Sequence, residues 1–145
     1  MKELLGYRFL NIKTNQFAFM DADIDKIGNT LQIKNSYSYG IEPETGKFTC
    51  IISIILSQED KMIVKIETQA LYQLNEASMK RFIKGNKFVM PTEAVKHFTS
   101  MLYGATRGIL VCKLEGTKFA SVILPPINLE EIINRPLELP LNEEE

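Results

Sequence analysis

The chain has 145 residues, with 17 basic and 18 acidic side chains and a formal net charge of −1 at pH 7. This length is typical of one domain, which buries roughly two thirds of its unfolded surface on folding. Because the charges nearly balance, no broad basic field favours nucleic acid or an anionic membrane surface as a partner. Hydrophobic residues at 45% and charged residues at 24% are ordinary for a globular protein.

The sequence shows no signal-like start and no apolar run that approaches the ~18 residues of a membrane helix. We therefore expect a cytoplasmic protein that does not insert into a membrane. Its two cysteines, Cys50 and Cys112, lie in apolar segments typical of strands. Such residues in a cytosolic protein are usually buried, reduced thiols, so we predict no disulfide between them.

The first half of the chain alternates apolar and polar residues, which is the pattern of half-buried strands. An irregularity near Thr14 interrupts the first strand. An acidic loop at residues 21–29, a Pro-Gly turn at residues 43–46 and a polar connection at residues 58–61 separate the segments. Short connections of this kind favour an antiparallel meander or Greek key. The predicted strands are Tyr7–Met20, Thr30–Gly40, Lys47–Ser57 and Met62–Leu74.

The third predicted strand is apolar on both faces. Phe48 and the alternate residues after it form one apolar row, while Ile51 and Ile55 lie on the opposite face. A sheet face that is apolar on its second side is often covered by another subunit. The pattern therefore predicts a contact between copies of this chain at Ile51 and Ile55.

Two helices are predicted between residues 75 and 108. Asn75 is a good N-cap for a short helix at residues 75–84. Pro91 suits the first turn of a longer amphipathic helix, since its missing N–H costs nothing there. This second helix is expected to end at its glycines, Gly104 and Gly108.

The last 37 residues are expected to be more irregular. The segment Ile109–Leu124 is typical of a β-hairpin turned at Glu115-Gly116. Asn128 is a good N-cap for a short final helix. Residues 136–145, with two prolines and a run of three terminal glutamates, predict a solvated acidic tail that follows a single domain at residues 1–135.

Motifs that would indicate catalysis are missing from the sequence. It contains no phosphate-binding glycine loop, no nucleophile elbow and no cluster of metal ligands. The one histidine, His97, is predicted to lie at the surface or at an interface. Arg107 lies between glycines, where a role at the end of the helix is favoured over an anion site. We therefore predict a protein that is not an enzyme and that has no cofactor and no metal.

Three segments resemble the SecB family of protein-export chaperones, in the order and spacing of that family. Lys47–Leu74 is similar to the family's central hairpin. The sequence PTEAVKHFTSMLYGATRG at residues 91–108 resembles its long helix, and LPPINLEEII at residues 124–133 resembles the segment that leads into its last helix. The resemblance extends over residues 5–134, and the predicted Ile109–Leu124 hairpin is an addition to the family pattern.

The resemblance implies an α+β fold, with a four-stranded antiparallel sheet and helices on one face, assembled as a dimer or tetramer. It implies ATP-independent holding of unfolded or extended polypeptides in exposed apolar grooves, in the service of protein export. The client-binding residues would be Tyr37, Tyr39, Ile41, Ile127, Leu129, Ile132 and Ile133, for each of which ordinary core packing is the alternative. The expected subunit contacts are Ile51, Ile55, Phe98, Met101 and Leu102.

The sequence departs from the export chaperones at the positions that dock their translocation motor ATPase. Carboxylates of the family align here with Gln16, Met20 and Lys65, so two acids are neutral residues and one is a cation. We therefore expect no docking to that motor. Two alternatives to an export chaperone stay open. One is a dedicated partner-binding module, such as a chaperone that escorts an antitoxin, and the other is a small-ligand-binding protein with a cavity between sheet and helices.

Overall fold

Four long strands form the central sheet: β1 (Tyr7–Phe19), β2 (Gln32–Glu42), β3 (Lys47–Gln58) and β4 (Lys61–Leu74). Their order across the sheet is β1-β4-β3-β2, and all neighbouring strands are antiparallel. Strands β2, β3 and β4 form a meander, while β1 pairs with β4, which is a Greek-key order. The predicted four-stranded antiparallel sheet is therefore confirmed.

The structure, a computed structural model of the chain, describes residues 5–20 and 31–141. The predicted acidic loop at residues 21–29 and the terminal glutamates Glu143–Glu145 lie outside the described residues. The irregularity predicted near Thr14 is confirmed, because the β1–β4 register shifts between Thr14 and Gln16.

The predicted turn between β2 and β3 is also confirmed, and it depends on Gly46. The Gly46 N–H donates to the Glu42 carbonyl at 2.8 Å, and the residue has φ +80°. A Cβ at this position would lie 3.0 Å from the Leu74 carbonyl oxygen. Only glycine combines this backbone conformation with so close an approach.

Helix α1 (Glu76–Phe82) begins as predicted at Asn75, whose side-chain oxygen accepts a hydrogen bond from the Ser78 N–H at 2.8 Å. Helix α2 (Thr92–Leu114) begins, as predicted, directly after Pro91. The helix lies on strands β3 and β4 and covers the middle of one face of the sheet, here called the inner face.

The length of α2 shows that the predicted β-hairpin at Ile109–Leu124 is wrong. The helix continues to Leu114, and turns follow it through residue 121. A glycine inside a helix costs roughly 1 kcal/mol relative to alanine, which the packing of a buried stripe can offset. The stripe that continues past the glycines consists of Leu102, Thr106, Leu110 and Leu114. Cys112 is consequently exposed on α2, contrary to the prediction, whereas Cys50 is buried as expected.

A second, smaller sheet contains β5 (Ile83–Lys84), β6 (Lys87–Met90) and β7 (Leu137–Pro140), in that order. Strand β7 pairs with β6 and follows the one-turn helix α3 (Leu129–Ile132). The prediction that the chain is a frayed tail from residue 136 onward is therefore wrong for β7. Leu137 and Leu139 are half-buried against the core, which holds this segment in place despite its flanking prolines.

Aromatic side chains join the two sheets and α2 in one core. The Phe98 ring of α2 lies 4.4 Å from the Tyr72 ring and 5.3 Å from the Phe48 ring, and Phe48 lies 6.2 Å from Phe88 of β6. All four side chains are fully buried. Burying one such side chain contributes about 2–3 kcal/mol, so this cluster fixes α2 over β3 and β4. No helix in the described parts of the chain is long and apolar enough to cross a membrane.

Candidate functional site

The inner face of β2 lies beyond the edge of α2 and is only partly covered. Its residues alternate along the strand, and the row pairs with the buried row of β3. Ile33 is 39% exposed, and the other members are half-buried. We call this surface, together with the α2 side chains Thr99 and Tyr103, the β2 groove. Its β2 residues are Ile33, Asn35, Tyr37, Tyr39 and Ile41.

Tyr39 forms a fixed part of the floor of the β2 groove. Its hydroxyl lies 2.8 Å from the Thr99 hydroxyl, and its ring stacks on Phe48 with centroids 6.0 Å apart. Burial raises the pKa of Tyr39 to about 12, although the hydrogen bond to Thr99 acts in the opposite direction. Tyr39 therefore ties β2 to α2 and stays protonated at physiological pH.

Tyr37 differs from Tyr39 because its hydroxyl has no well-formed hydrogen bond. The Tyr37 oxygen and the Asn35 side-chain oxygen are both buried without a hydrogen-bond partner. Burial raises the pKa of Tyr37, and the neighbouring Asn35 side chain lowers it by a smaller amount. A buried polar atom without a partner costs about 1–3 kcal/mol. Both atoms are fully covered by the protein, so they lie beneath the surface of the groove and close to each other.

The segment after α2 returns along the helix and is attached to it by side chains. The Tyr103 hydroxyl donates to the Pro125 carbonyl at 2.6 Å, and Arg107 Nε donates to the Leu124 carbonyl at 3.0 Å. Arg107 therefore holds this segment against α2. The sequence analysis weighed a role at the end of the helix against an anion site, and this role is neither of the two. Leu124 is 1% exposed and anchors the segment in the core.

Further along, Asn128 caps α3 as predicted, accepting from the Glu130 N–H at 3.1 Å. Lys96 of α2 forms ion pairs with Glu130 at 2.8 Å and with Glu93 at 3.3 Å. Beside these pairs lies an open cavity of about 430 Å³, lined by side chains of α2 and by Ile127 and Leu129. This end of α2 therefore carries a second concave surface.

The four client-binding residues predicted in this segment differ in exposure. Ile132 is 41% exposed, Ile127 and Leu129 are half-buried, and Ile133 is 8% exposed and belongs to the core. Tyr103 joins the two predicted sets of client-binding residues. Its hydroxyl contacts this segment, and the pKa of Tyr103 is raised by burial and, to a smaller extent, by Tyr37 nearby. The structure thus brings both sets to the same edge of α2.

Asn35, Thr99 and Tyr103 are groove residues that the sequence analysis did not select. The alternating pattern contained a signal for Asn35, because it places this polar residue in the apolar row between Ile33 and Tyr37. The positions of Thr99 and Tyr103 depend on the rotation of α2 over the sheet, which no local pattern specifies.

The predicted subunit-contact residues lie in three different environments. Phe98 and Leu102 are fully buried within the protomer, and so they offer no surface to a second copy. Met101 is half-buried on the β1 side of α2, where its sulfur lies 3.5 Å from the Tyr7 hydroxyl. Ile51 and Ile55 are half-buried on the outer face of the sheet.

A second apolar surface lies on the β1 side of α2. Phe9, Phe19 and Met20 are 38%, 42% and 51% exposed. His97 is exposed near the start of β1, as predicted, and its Nε2 lies 2.7 Å from the Tyr7 hydroxyl. Phe19 and Met20 lie at the other end of β1, where the Phe19 ring is 5.5 Å from the Phe119 ring. Within the described residues, no three His, Cys, Asp or Glu side chains come together as possible metal ligands.

The fold is that of SecB-like chaperones. The likeness is to the SecB-like chaperone Rv1957 of Mycobacterium tuberculosis, whose structure was solved in complex with a ChAD peptide from the antitoxin Rv1956 HigA1. The two structures superpose with a TM-score of 0.56 and share 17% sequence identity, over 85% of this chain and 91% of that chain. This finding confirms the expected SecB-like fold. No protein-family model matches the sequence, and no curated protein does.

Proposed function

We propose that this protein is an ATP-independent chaperone that holds unfolded or extended polypeptide segments in the β2 groove. It acts by binding and not by catalysis, in the cytoplasm, as a single SecB-like domain. The observation that carries the proposal is the β2 groove itself, a row of partly exposed apolar side chains on a strand that α2 leaves uncovered. Such a surface suits a polypeptide, whose side chains fill apolar pockets while its backbone supplies N–H and C=O groups.

The experiment is suppression of aggregation of a chemically denatured client, without nucleotide. We expect near-stoichiometric suppression by the wild type, because nothing in the mechanism drives release. Ile33→Lys places a charge in the groove at an exposed position and should abolish suppression. Ser36→Lys is the matched control, since Ser36 lies on the same strand and faces the other way. No suppression by the wild type at a large molar excess would refute the proposal.

A dedicated antitoxin-escorting chaperone is the second candidate. The fold neighbour from Mycobacterium tuberculosis is a SecB-like chaperone bound to an antitoxin peptide. Lys65, on the sheet, is a cation at a position where the resemblance expects a motor-binding carboxylate. This candidate would be favoured over a general holdase if the protein bound only the product of one adjacent gene and did not suppress the aggregation of unrelated clients.

We also propose that the protein forms a homodimer or homotetramer through the β1 side of α2. Met101, Phe9 and Phe19 supply apolar surface there that a second copy can cover. Light scattering should give a mass of at least two chains. Met101→Lys should shift it toward one chain, and a wild-type monomer at high micromolar concentration would exclude this assembly.

A further inference from the structure

The outer face of the sheet, opposite α2, has an ordered pattern of cations and aliphatic side chains. The strand register aligns its residues in rows that cross all four strands. One row reads Ala18, Lys65, Ile55 and Lys34 from β1 to β2, and another reads Lys13, Gln69, Ile51 and Ser38. Three further rows are read in the same direction, from β1 to β2. The first is Arg8, Gln73, Lys47 and Glu42; the second is Asn11, Leu71, Thr49 and Gly40; and the third is Gln16, Glu67, Ser53 and Ser36.

The cations of this face outnumber its carboxylates. It carries five basic residues and two acidic residues, Glu42 and Glu67. Both carboxylates have local partners, since Glu67 accepts from Asn15 at 3.0 Å and Glu42 accepts from Thr45. None of the five cations takes part in an ion pair within the described residues. They are Arg8, Lys13, Lys34, Lys47 and Lys65.

The charge pattern argues against a second copy of this chain as the molecule that covers this face. A two-fold contact would bring Lys34, Lys65 and their neighbours against the same cations, and like charges facing each other oppose association. The self-contact at Ile51 and Ile55 stays a prediction, and the charge pattern favours a different molecule at this face.

The aliphatic side chains favour a protein over a nucleic acid as that molecule. Ile55 lies between Lys65 and Lys34 in its row and is half-buried. Ile51 and Leu71, also half-buried, lie further along the same face, beyond the row that contains Glu67 and Ser53. Nucleic-acid interfaces are more polar, and their affinity depends on cations at phosphates. Four strands of about ten residues present roughly 600 Å², which is the size of a small, transient protein interface.

We propose that the outer face of the sheet docks an acidic protein surface, one that places carboxylates around a small aliphatic centre. Carboxylates of the partner would pair with Lys34 and Lys65, while its aliphatic centre would cover Ile55. This docking goes beyond client holding, because it uses the face of the sheet opposite the β2 groove. The protein would therefore hold a client and dock a partner at the same time.

The test is an NMR titration of the isotope-labelled full chain with a synthetic peptide of glutamates interrupted by leucines. We expect shifts at the outer-face amides, and binding that weakens as salt is added. The double change Lys34→Glu and Lys65→Glu should reduce affinity about tenfold or more. Lys80→Glu with Lys84→Glu is the matched control, since both lysines are exposed on α1 and β5 and the net charge changes equally.

Three outcomes would overturn the docking proposal. The first is that the two double variants lose the same amount of peptide affinity. The second is that the wild type binds a DNA duplex more tightly than the peptide, and the third is that it does not bind the peptide even at low salt. The same variants separate docking from client holding. Lys34→Glu with Lys65→Glu should still suppress aggregation, whereas Ile33→Lys should still bind the acidic peptide.

Discussion

The hydroxyl oxygens of Thr68 on β4 and Thr106 on α2 lie 2.7 Å apart, and both residues are fully buried. The Thr106 hydroxyl also donates to the Leu102 carbonyl at 2.7 Å, so Thr68 is the donor in the pair. This contact fixes the part of α2 beyond Gly104 to the sheet. Like the Tyr39–Thr99 pair, it is a polar contact between α2 and a strand of the sheet.

The direction of that hydrogen bond predicts unequal costs for two similar substitutions. Thr106→Val leaves the Thr68 hydroxyl without an acceptor and should lower the free energy of unfolding by about 1–3 kcal/mol. Thr68→Val should cost less, because Thr106 keeps its bond to Leu102. Urea unfolding measures both, and the double variant should recover part of the loss. Equal single costs, with no coupling, would contradict the assigned direction.

The continuity of α2 past its glycines predicts that Gly108→Ala is stabilising. A Cβ at Gly108 meets nothing within 4 Å, and alanine is favoured over glycine inside a helix by roughly 0.8–1.0 kcal/mol. Gly116→Ala is the control and should be destabilising, because Gly116 follows the helix with φ +78°. If Gly108→Ala left the free energy of unfolding unchanged or lowered it, an interruption of the helix at this position would be favoured instead.

The buried hydroxyl of Tyr37 predicts different outcomes for two similar substitutions, Tyr37→Phe and Tyr39→Phe. Tyr37→Phe removes a buried polar atom without a partner, so stability should stay equal or rise by about 1 kcal/mol. Client affinity, measured by fluorescence anisotropy, should stay within about twofold of the wild-type value, because the hydroxyl is covered and the ring keeps its place in the groove. Tyr39→Phe should instead lower stability, because it removes a hydrogen bond between β2 and α2. If both variants lost the same free energy of unfolding, the Tyr37 hydroxyl would stabilise the fold as much as the Tyr39 hydroxyl does.

The cation at Lys65 predicts that the wild type does not bind the translocation motor of the export chaperones. Gln16 and Lys65 lie one row apart on the outer face, and Met20 follows the end of β1. Reversing the sign of a docking contact turns attraction into repulsion. Calorimetry at physiological salt should detect no binding to the wild type. The triple change Gln16→Asp, Met20→Glu and Lys65→Glu should raise the affinity, and tight wild-type binding would show the alignment to be wrong.

The sequence predicted those elements whose signals are local. The alternation of the four strands, the cap at Asn75 and the proline before α2 depend on neighbouring residues, and the structure confirms them. The end of α2 was misplaced because Gly104 and Gly108 suggested a break, while the buried spacing from Leu102 to Leu114 continued the helix. Strand β7 was missed because its four residues are held only by pairing with β6.

The β2 groove could be predicted only in part, for a related reason. Alternation along β2 correctly placed Tyr37, Tyr39 and Ile41 on one face. The partners of that face come from α2 and from the segment after it, more than 50 residues further along the chain. Their positions depend on tertiary packing, so Thr99 and Tyr103 were not selected.

The pairing of β1 with β4 has a consequence for the order in which the chain folds. Partners in this ladder are separated by 45 residues at Phe19–Val64 and by 67 residues at Tyr7–Leu74, whereas β2 and β3 meet across a tight turn. Closing the longer loops costs more entropy, so we expect the β2–β3–β4 meander to form first and β1 to join last. Until β1 joins, the edge of β4 is an open template for another chain. A protein proposed to hold unfolded segments of others therefore exposes an unpaired strand edge of its own until late in its folding.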